Sequence, residues 1–237
     1  MALTHNRAGN YHFLASPGRP YSGGAVADEG YDIVHARFER PIPLDAGLAA
    51  ASEHVSNAGR PIQSVAGFEL RSPKPFSRED FETFNAGYVT RLTVLGLEVD
   101  RLMPAARTNV APTVGAVTEV SVYAFSYTIA GSRRRRAFVA SGSTEEKGTD
   151  TASRLGSIMG ILSGRLAELG ASWDDATAIQ LYGIDDIQAQ LVERVLRHAG
   201  GAAAHGIQWF PSLPPIEGLK LEIDVRSAGT EFVLPAA

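Results

Sequence analysis

The stretch "FNAGYVTRLTVLGLEVDRLMPAARTNVAP" (residues 84–112) joins the two patterns that decide the fold. Its first part continues a run over residues 77–96 in which apolar side chains recur every three or four positions, which predicts an amphipathic helix. Its last part is a short β-prone run that carries Arg107 between Pro104 and Pro112. We therefore predict a helix and then a strand with one arginine, which contacts solvent, a structural carboxylate or a bound anion.

The order strand, helix, strand, helix, strand, strand occurs twice along the chain. Gly59 and Gly170, which follow the first predicted helix of each half, are succeeded by apolar residues with the same spacing. The shared order and register indicate an internal duplication. The predicted strands lie at residues 31–38, 64–72, 106–111, 119–129, 136–143, 176–184, 206–210 and 219–227, and the predicted helices at 44–58, 77–96, 151–169 and 185–201.

Each half is expected to form a mixed sheet with two helices packed on one face, so the predicted fold class is α+β with two tandem units. We predict the first unit at residues 1–116 and the second at 117–237. The boundary lies between 115 and 132, because the strand at 119–129 either closes the first unit or opens the second. The bare face of each sheet must be buried, so the halves pack together or the chain oligomerises.

The composition narrows the function classes. The chain has 237 residues, of which 44% are hydrophobic and 20% charged, as is usual for a globular protein. A formal net charge of −4 argues against a nucleic-acid or membrane-surface binder, whose affinity depends on a positive field. The absence of cysteine excludes disulfides and thiolate chemistry. No segment has the apolar length of a signal peptide core or a membrane span, so we expect a cytoplasmic protein.

The opening stretch carries a spaced set of residues, Asn85 and Tyr88 on the predicted helix and then Pro104, Arg107 and Val110. This set resembles the RidA/YjgF family of small enamine/imine deaminases, in which an N-x-x-Y element precedes a P-A-R-x-x-V segment. This chain has one residue more than usual between the proline and the arginine. The resemblance implies that each of the two tandem units has a RidA-like (chorismate-mutase-like) fold.

Other segments resemble further elements of that family. "FSYT" (125–128) is similar to its P-Y-S-Q element, and "FVASGS" (138–143) to its F-x-S-G-Q element, with Ser143 in place of glutamine. "LPPIEGLKLEIDV" (213–225) resembles the closing segment and places Glu222 on the family's site glutamate. The closing strand of the first half starts at Glu119.

The two halves depart from the family in complementary ways. Where the second half should carry its arginine it reads "AAHGIQWF" (203–210), and the first half has only "ASPGRP" (15–20) in place of the serine-glycine element. We infer that the duplication has specialised, with the arginine kept in one half and the serine-glycine wall in the other.

By this resemblance the chain would hydrolyse a 2-aminomuconate-like or 2-aminoacrylate-like enamine/imine acid to the 2-oxo acid and ammonium, with neither a cofactor nor a metal. Arg107 would bind the substrate carboxylate as a bidentate fork. Glu119 or Glu222 would act as the acid/base. Ser141 and Gly142 would line the opposite wall, across an interface within or between chains.

Each candidate also has a purely structural interpretation. Arg107 could pair with a structural carboxylate, and glutamates on alternating strands are often simply solvated. Tyr123 and Phe125 are candidates to pack against substrate, although aromatic side chains on strands more often pack in the core.

The expected partner is a small-molecule carboxylate, with neither nucleic acid nor membrane. Family members are usually trimers, so the resemblance also implies a homo-oligomer, with a trimer favoured. The six histidines show no metal-ligand spacing, and the basic block "SRRRRA" (132–137) is expected at a hairpin tip. Two other functions stay open, a non-catalytic carboxylate-binding protein of the same fold and a chorismate-type hydrolase relative.

Overall fold

The computed structural model describes residues 3–132, 135–143 and 150–236, which form a mixed α/β structure with two sheets and four helices. Arg133 and Arg134 of the basic block lie outside the described residues. The helices are α1 (Leu44–Asn57), α2 (Arg78–Val94), α3 (Thr151–Glu168) and α4, which joins Gln188–Gln190, a π-helical stretch Leu191–Leu196 and Arg197–Ala199. None of them is long and apolar enough to cross a membrane.

Thirteen strands build the two sheets in the described part of the chain. They are β1 (Leu3–Asn6), β2 (Tyr11–Leu14), β3 (Gly24–Ala27), β4 (Tyr31–Pro43), β5 (Val65–Arg71), β6 (Ala106–Pro112), β7 (Ser121–Ala130), β8 (Phe138–Ser143), β9 (Ala178–Gly183), β10 (Gln208–Phe210), β11 (Ser212–Leu213), β12 (Leu221–Ser227) and β13 (Thr230–Leu234).

The two sheets contain the same arrangement of four strands. The six-stranded sheet has the order β11-β6-β5-β7-β4-β13, and the seven-stranded sheet has the order β1-β2-β3-β8-β12-β9-β10. In the first, β7 pairs antiparallel with β4 and β5, and β5 pairs parallel with β6. In the second, β12 pairs antiparallel with β8 and β9, and β9 pairs parallel with β10. The strand at 121–130 is therefore an inner strand of the first sheet.

The helices form where the sequence provides an apolar stripe and a cap. The Ser77 hydroxyl accepts a hydrogen bond from the backbone N–H of Asp80 and starts α2, and Asp150 caps α3 in the same way at Ser153. Along α3 the buried residues follow helical spacing and pack on the seven-stranded sheet; they are Leu155, Ile158, Met159, Leu162 and Leu166. Helices α1 and α2 pack in the same way on the six-stranded sheet.

The other faces of the two sheets pack against each other. Small side chains from both sheets fill much of this layer, among them Ala25, Ala66 and Ala106, and a Cβ added at Gly67 would lie 3.4 Å from a methyl of Val139. Because side chains this small occupy little space, the two sheets approach closely here. The resulting order of layers is helices, sheet, sheet, helices.

A group of buried charges lies beside this apolar layer. The Tyr182 hydroxyl donates to Asp224 at 2.8 Å, and the Glu69 carboxylate lies 3.5 Å from the guanidinium of Arg71 and 3.8 Å from that of Arg226. Burial, reinforced by the negative charge of Glu69, raises the pKa of Asp224 to about 7. Asp224 is two residues from Glu222 on β12, and alternate residues of a strand share a face.

Candidate active site

One cavity of about 150 Å³ lies where β6 and α2 meet the ends of β8 and β12 and the helix α3. Its walls come from both sheets and from the connections β2–β3 and β11–β12. Most of the side chains that line it are polar or charged. The lining residues are Arg19, Tyr21, Arg78, Phe81, Glu82, Asn85, Arg107, Asn109, Ser141, Gly142, Ser143, Arg165, Pro215, Ile216, Leu219 and Glu222.

The Arg107 guanidinium is buried in an aromatic cage. Its central carbon lies 4.8 Å from the ring centre of Tyr21, 5.4 Å from Phe81, 5.7 Å from Phe84 and 5.0 Å from Tyr88. Its Nη1 is buried and has no hydrogen-bond partner among the described residues. Burial lowers the pKa of this guanidinium from its ordinary value, yet an arginine stays charged at neutral pH. The cavity therefore contains a buried guanidinium cation whose Nη1 is able to donate a hydrogen bond to a ligand.

Glu222 is a buried acid in the same cavity, with 5% of its surface exposed. Burial raises its pKa to about 8, reinforced by the neighbouring Asp224 carboxylate and opposed by Arg107, Arg71 and Arg165. At neutral pH most of this carboxyl group is protonated and is able to donate a proton, whereas an ordinary glutamate would be ionised.

Ser141 and Gly142, at the end of β8, line the cavity together with Arg107 and Glu222. The Ser141 hydroxyl donates to the backbone carbonyl of Arg107 at 3.1 Å, and the Ser141 carbonyl accepts a hydrogen bond from Nη1 of Arg165. A Cβ at Gly142 would lie 3.2 Å from Leu162, so a side chain there would press on α3. Ser141 therefore connects the strand of Arg107 with the helix of Arg165.

Comparison with known proteins assigns the chain to a family. The family model "2-aminomuconate deaminase CnbZ" matches residues 3–232. The chain is 35% identical to the 2-amino-5-chloromuconate deaminase of Comamonas testosteroni, over 95% of this chain and 96% of that protein. The chain belongs to the 2-aminomuconate deaminase family.

Solved structures similar to this family member include a chorismatase and a YjgF/YER057c/UK114 family protein. A chorismatase crystal structure superposes with a TM-score of 0.52 at 13% identity, over 87% of this chain and 77% of that one. A YjgF/YER057c/UK114 family member from Mycobacterium tuberculosis superposes with a TM-score of 0.32 at 22% identity, over 40% of this chain and 81% of that one.

Four of the seven predicted site residues come together in the cavity of this family member. Arg107, Glu222, Ser141 and Gly142 all line it, although they belong to two sheets and are far apart in sequence. Arg107 comes from the first half of the chain, and the other three come from the second.

The structure places the remaining three predicted residues elsewhere. Glu119 is exposed, in a surface depression beside the start of α1. The Tyr123 ring lies 4.0 Å from the guanidinium of Arg71 between the sheets, and Phe125 is completely buried in the core beneath α1 and α2. The cavity therefore contains Glu222 and not Glu119.

Sequence reasoning missed several residues that line the cavity, above all Arg165, Arg19 and Tyr21. Arg165 is an arginine inside the apolar stripe of α3, directly before the buried Leu166, and that position is a signal of a partly buried cation. Arg19 and Tyr21 lie in the β2–β3 connection, whose strands have no clear sequence pattern.

One group of metal-ligating side chains occurs in the described residues, away from the cavity. His5 and His12 face each other across β1 and β2 with ring centres 4.2 Å apart, and their nitrogens lie 2.9 and 2.8 Å from the two carboxylate oxygens of Asp28. Two imidazoles and a carboxylate are suitable ligands for zinc. Their sequence spacing does not indicate this cluster, because strand pairing brings the two histidines together.

Proposed function

We propose that this protein is a hydrolytic deaminase that converts a 2-aminomuconate-type enamine acid to the corresponding 2-oxo acid and ammonium, with no cofactor. One observation carries the proposal: a largely protonated carboxyl group, Glu222, and a guanidinium with an unpaired N–H, Arg107, line the same buried cavity. The activity in the name of the Comamonas testosteroni relative supports the substrate class.

Substrate binding is assigned to Arg107 and Asn85. The unpaired Nη1 of Arg107 donates to a carboxylate oxygen of the substrate, and the aromatic cage keeps the guanidinium in place. The side-chain oxygen of Asn85 is buried and unpaired among the described residues. It accepts a hydrogen bond from the substrate amino group and orients the carbon-nitrogen bond.

Glu222 is assigned the proton transfers. Its carboxyl group protonates the enamine carbon, which gives an iminium ion with an electrophilic C2. A water molecule then adds to C2 through its oxygen, and the Glu222 carboxylate takes a proton from this water. Glu222 then protonates the nitrogen of this adduct. The C–N bond breaks, the hydroxyl group on C2 becomes the carbonyl, and its proton returns to Glu222. Ammonia leaves and takes a proton from solvent, so Glu222 ends in its starting state.

The test is ammonium release from freshly generated 2-aminomuconate. We expect turnover by the wild-type protein and its loss in Arg107→Ala, without a change in circular dichroism. Arg91→Ala is the control, because Arg91 is an exposed arginine on α2 that pairs with Asp45 outside the cavity. Binding of the substrate without ammonium release by the wild type would contradict the proposal and indicate a binding protein.

We further propose that the chain consists of two fused RidA-like units, with the boundary after β7 at the upper end of the predicted range. The matching strand orders β4-β7-β5-β6 and β8-β12-β9-β10 support this proposal. A homo-oligomer, with a trimer favoured, stays part of the proposal, and light scattering after gel filtration tests it.

A further inference from the structure

We infer that Arg165 binds the second carboxylate of a dicarboxylate substrate and thereby makes the site selective for dicarboxylates over monocarboxylates. This inference rests on the proposed function, since Arg107 is taken to bind the first carboxylate. It assigns a role to a residue of α3 that contributes no reacting group.

Arg165 offers the cavity an N–H group in the same way as Arg107. Its Nε is buried and lacks a hydrogen-bond partner among the described residues, while its Nη1 donates to the carbonyl of Ser141. A buried donor on a charged group that is left unpaired is costly. An anionic oxygen in the cavity would pair with it.

The charges of the buried part of the cavity match two carboxylates. Arg107 and Arg165 each contribute one positive charge to the cavity. Glu222 is the buried acid that lines the same cavity, and it is largely protonated at neutral pH. The other charged lining residues, Arg19, Arg78 and Glu82, are exposed. Among the described residues, no buried and ionised acid lines the cavity beside these two positive charges, which leaves room for a ligand with two negative charges.

Among the described residues, Glu168 is the other acid near Arg165, and it does not neutralise the cavity. It is exposed near the end of α3 and does not line the cavity. The positive charge of Arg165 therefore remains available to a ligand.

Ser141 links the backbone of Arg107 to the side chain of Arg165. Its hydroxyl donates to the backbone carbonyl of Arg107, and its own carbonyl accepts from Arg165. Arg107 is on β6 of one sheet and Arg165 is on α3, which packs on the other sheet. A planar conjugated diacid holds its two carboxylates at a nearly fixed separation, so it suits two guanidinium groups that are each held in place, Arg107 by its aromatic cage and Arg165 by its hydrogen bond to Ser141.

The decisive experiment compares a diacid with its matched monoacid in a binding assay that needs no turnover. Muconate and sorbate share a six-carbon diene and differ by one carboxylate. Calorimetry should show that the wild type binds muconate about 10- to 100-fold more tightly than sorbate, as expected for one charged hydrogen-bonded contact. Arg165→Gln should bind the two ligands equally. A preference for muconate that survives in Arg165→Gln, or its absence in the wild type, would overturn the inference.

Kinetics then separate the inference from the proposed function. In Arg165→Gln, kcat/KM for 2-aminomuconate should fall about 100-fold while kcat/KM for 2-aminoacrylate changes less than about twofold. Arg154→Gln is the matched control on the same helix, because Arg154 lies 4.0 Å from Asp185 and does not line the cavity. An equal loss for both substrates overturns the selectivity role. Absence of turnover in the wild type refutes the deaminase assignment and leaves the binding result to decide the role of Arg165.

Discussion

Replacing Glu222 with glutamine should remove activity and at the same time stabilise the protein in alkaline solution. Glutamine has nearly the shape of a protonated glutamate and is unable to ionise. Burial raises the pKa of Glu222 from 4.5 to about 8, so the folded protein holds a proton that the unfolded chain releases near its ordinary value. The folded state of the wild type therefore loses stability as the pH rises through this interval.

The size of this effect follows from the pKa values. One pKa unit corresponds to about 1.4 kcal/mol, so the fully ionised carboxylate costs the folded state on the order of 5 kcal/mol. Between about pH 5 and about pH 9, the free energy of unfolding of the wild type should fall by on the order of 4 kcal/mol more than that of Glu222→Gln.

Urea denaturation at the two pH values measures this difference. With a slope of about 2 kcal/mol per molar urea, the midpoint of the variant should gain about 2 M relative to the wild type on going from acidic to alkaline solution. Glu119→Gln is the control, since Glu119 is exposed and outside the cavity, and its midpoint should follow that of the wild type. A gap between Glu222→Gln and the wild type that does not change with pH would refute the assignment of Glu222 as a buried neutral acid.

Four further predictions concern the cavity and its surroundings. Arg107→Lys keeps the charge but loses the planar fork, so kcat/KM should fall about 100-fold in the ammonium assay with little change in Tm. Asp224→Asn removes a negative charge that raises the pKa of Glu222, so the alkaline limb of the pH–rate profile should move to lower pH. Leu162→Ala should cost about 2–5 kcal/mol in urea denaturation, because Leu162 is fully buried beneath Gly142. Treatment with a chelator should leave the rate unchanged, because the proposed steps use only side chains; a proportional loss of rate and bound metal would contradict this.

Local patterns in the sequence were sufficient to predict the long elements. The helix predicted at 44–58 is observed at Leu44–Asn57, and that predicted at 151–169 is observed at Thr151–Glu168, because caps and apolar stripes are local signals. The mixed α/β arrangement with two sheets follows from the order of the predicted helices and strands along the chain. Strands β1, β2, β3, β11 and β13 were not predicted, since each has at most five residues. In addition, β3, β11 and β13 pair with strands that are far away in sequence.

Residues of the candidate site could be named from the sequence where they had a local motif. Arg107 and Ser141 could be named from short segments, but only the packing of the two sheets decides that Glu222 shares their cavity and Glu119 does not. Arg165 could not be placed from sequence, because an arginine on a helix reaches the cavity only through the packing of α3 on β8. The predicted trimer and the unit boundaries stay predictions.

The two ends of the chain complete each other's sheets. Strands β1–β3 extend the sheet formed by the second half, and β13 forms one edge of the sheet formed by the first. During synthesis on a ribosome, the first half therefore emerges before its edge strand β13 has been made. The N-terminal strands β1–β3 likewise have no sheet to join until β8 has been made. A cut between β7 and β8 would produce two fragments that each lack part of a sheet, so the halves should refold only when mixed. We therefore expect the two halves to unfold as one cooperative unit.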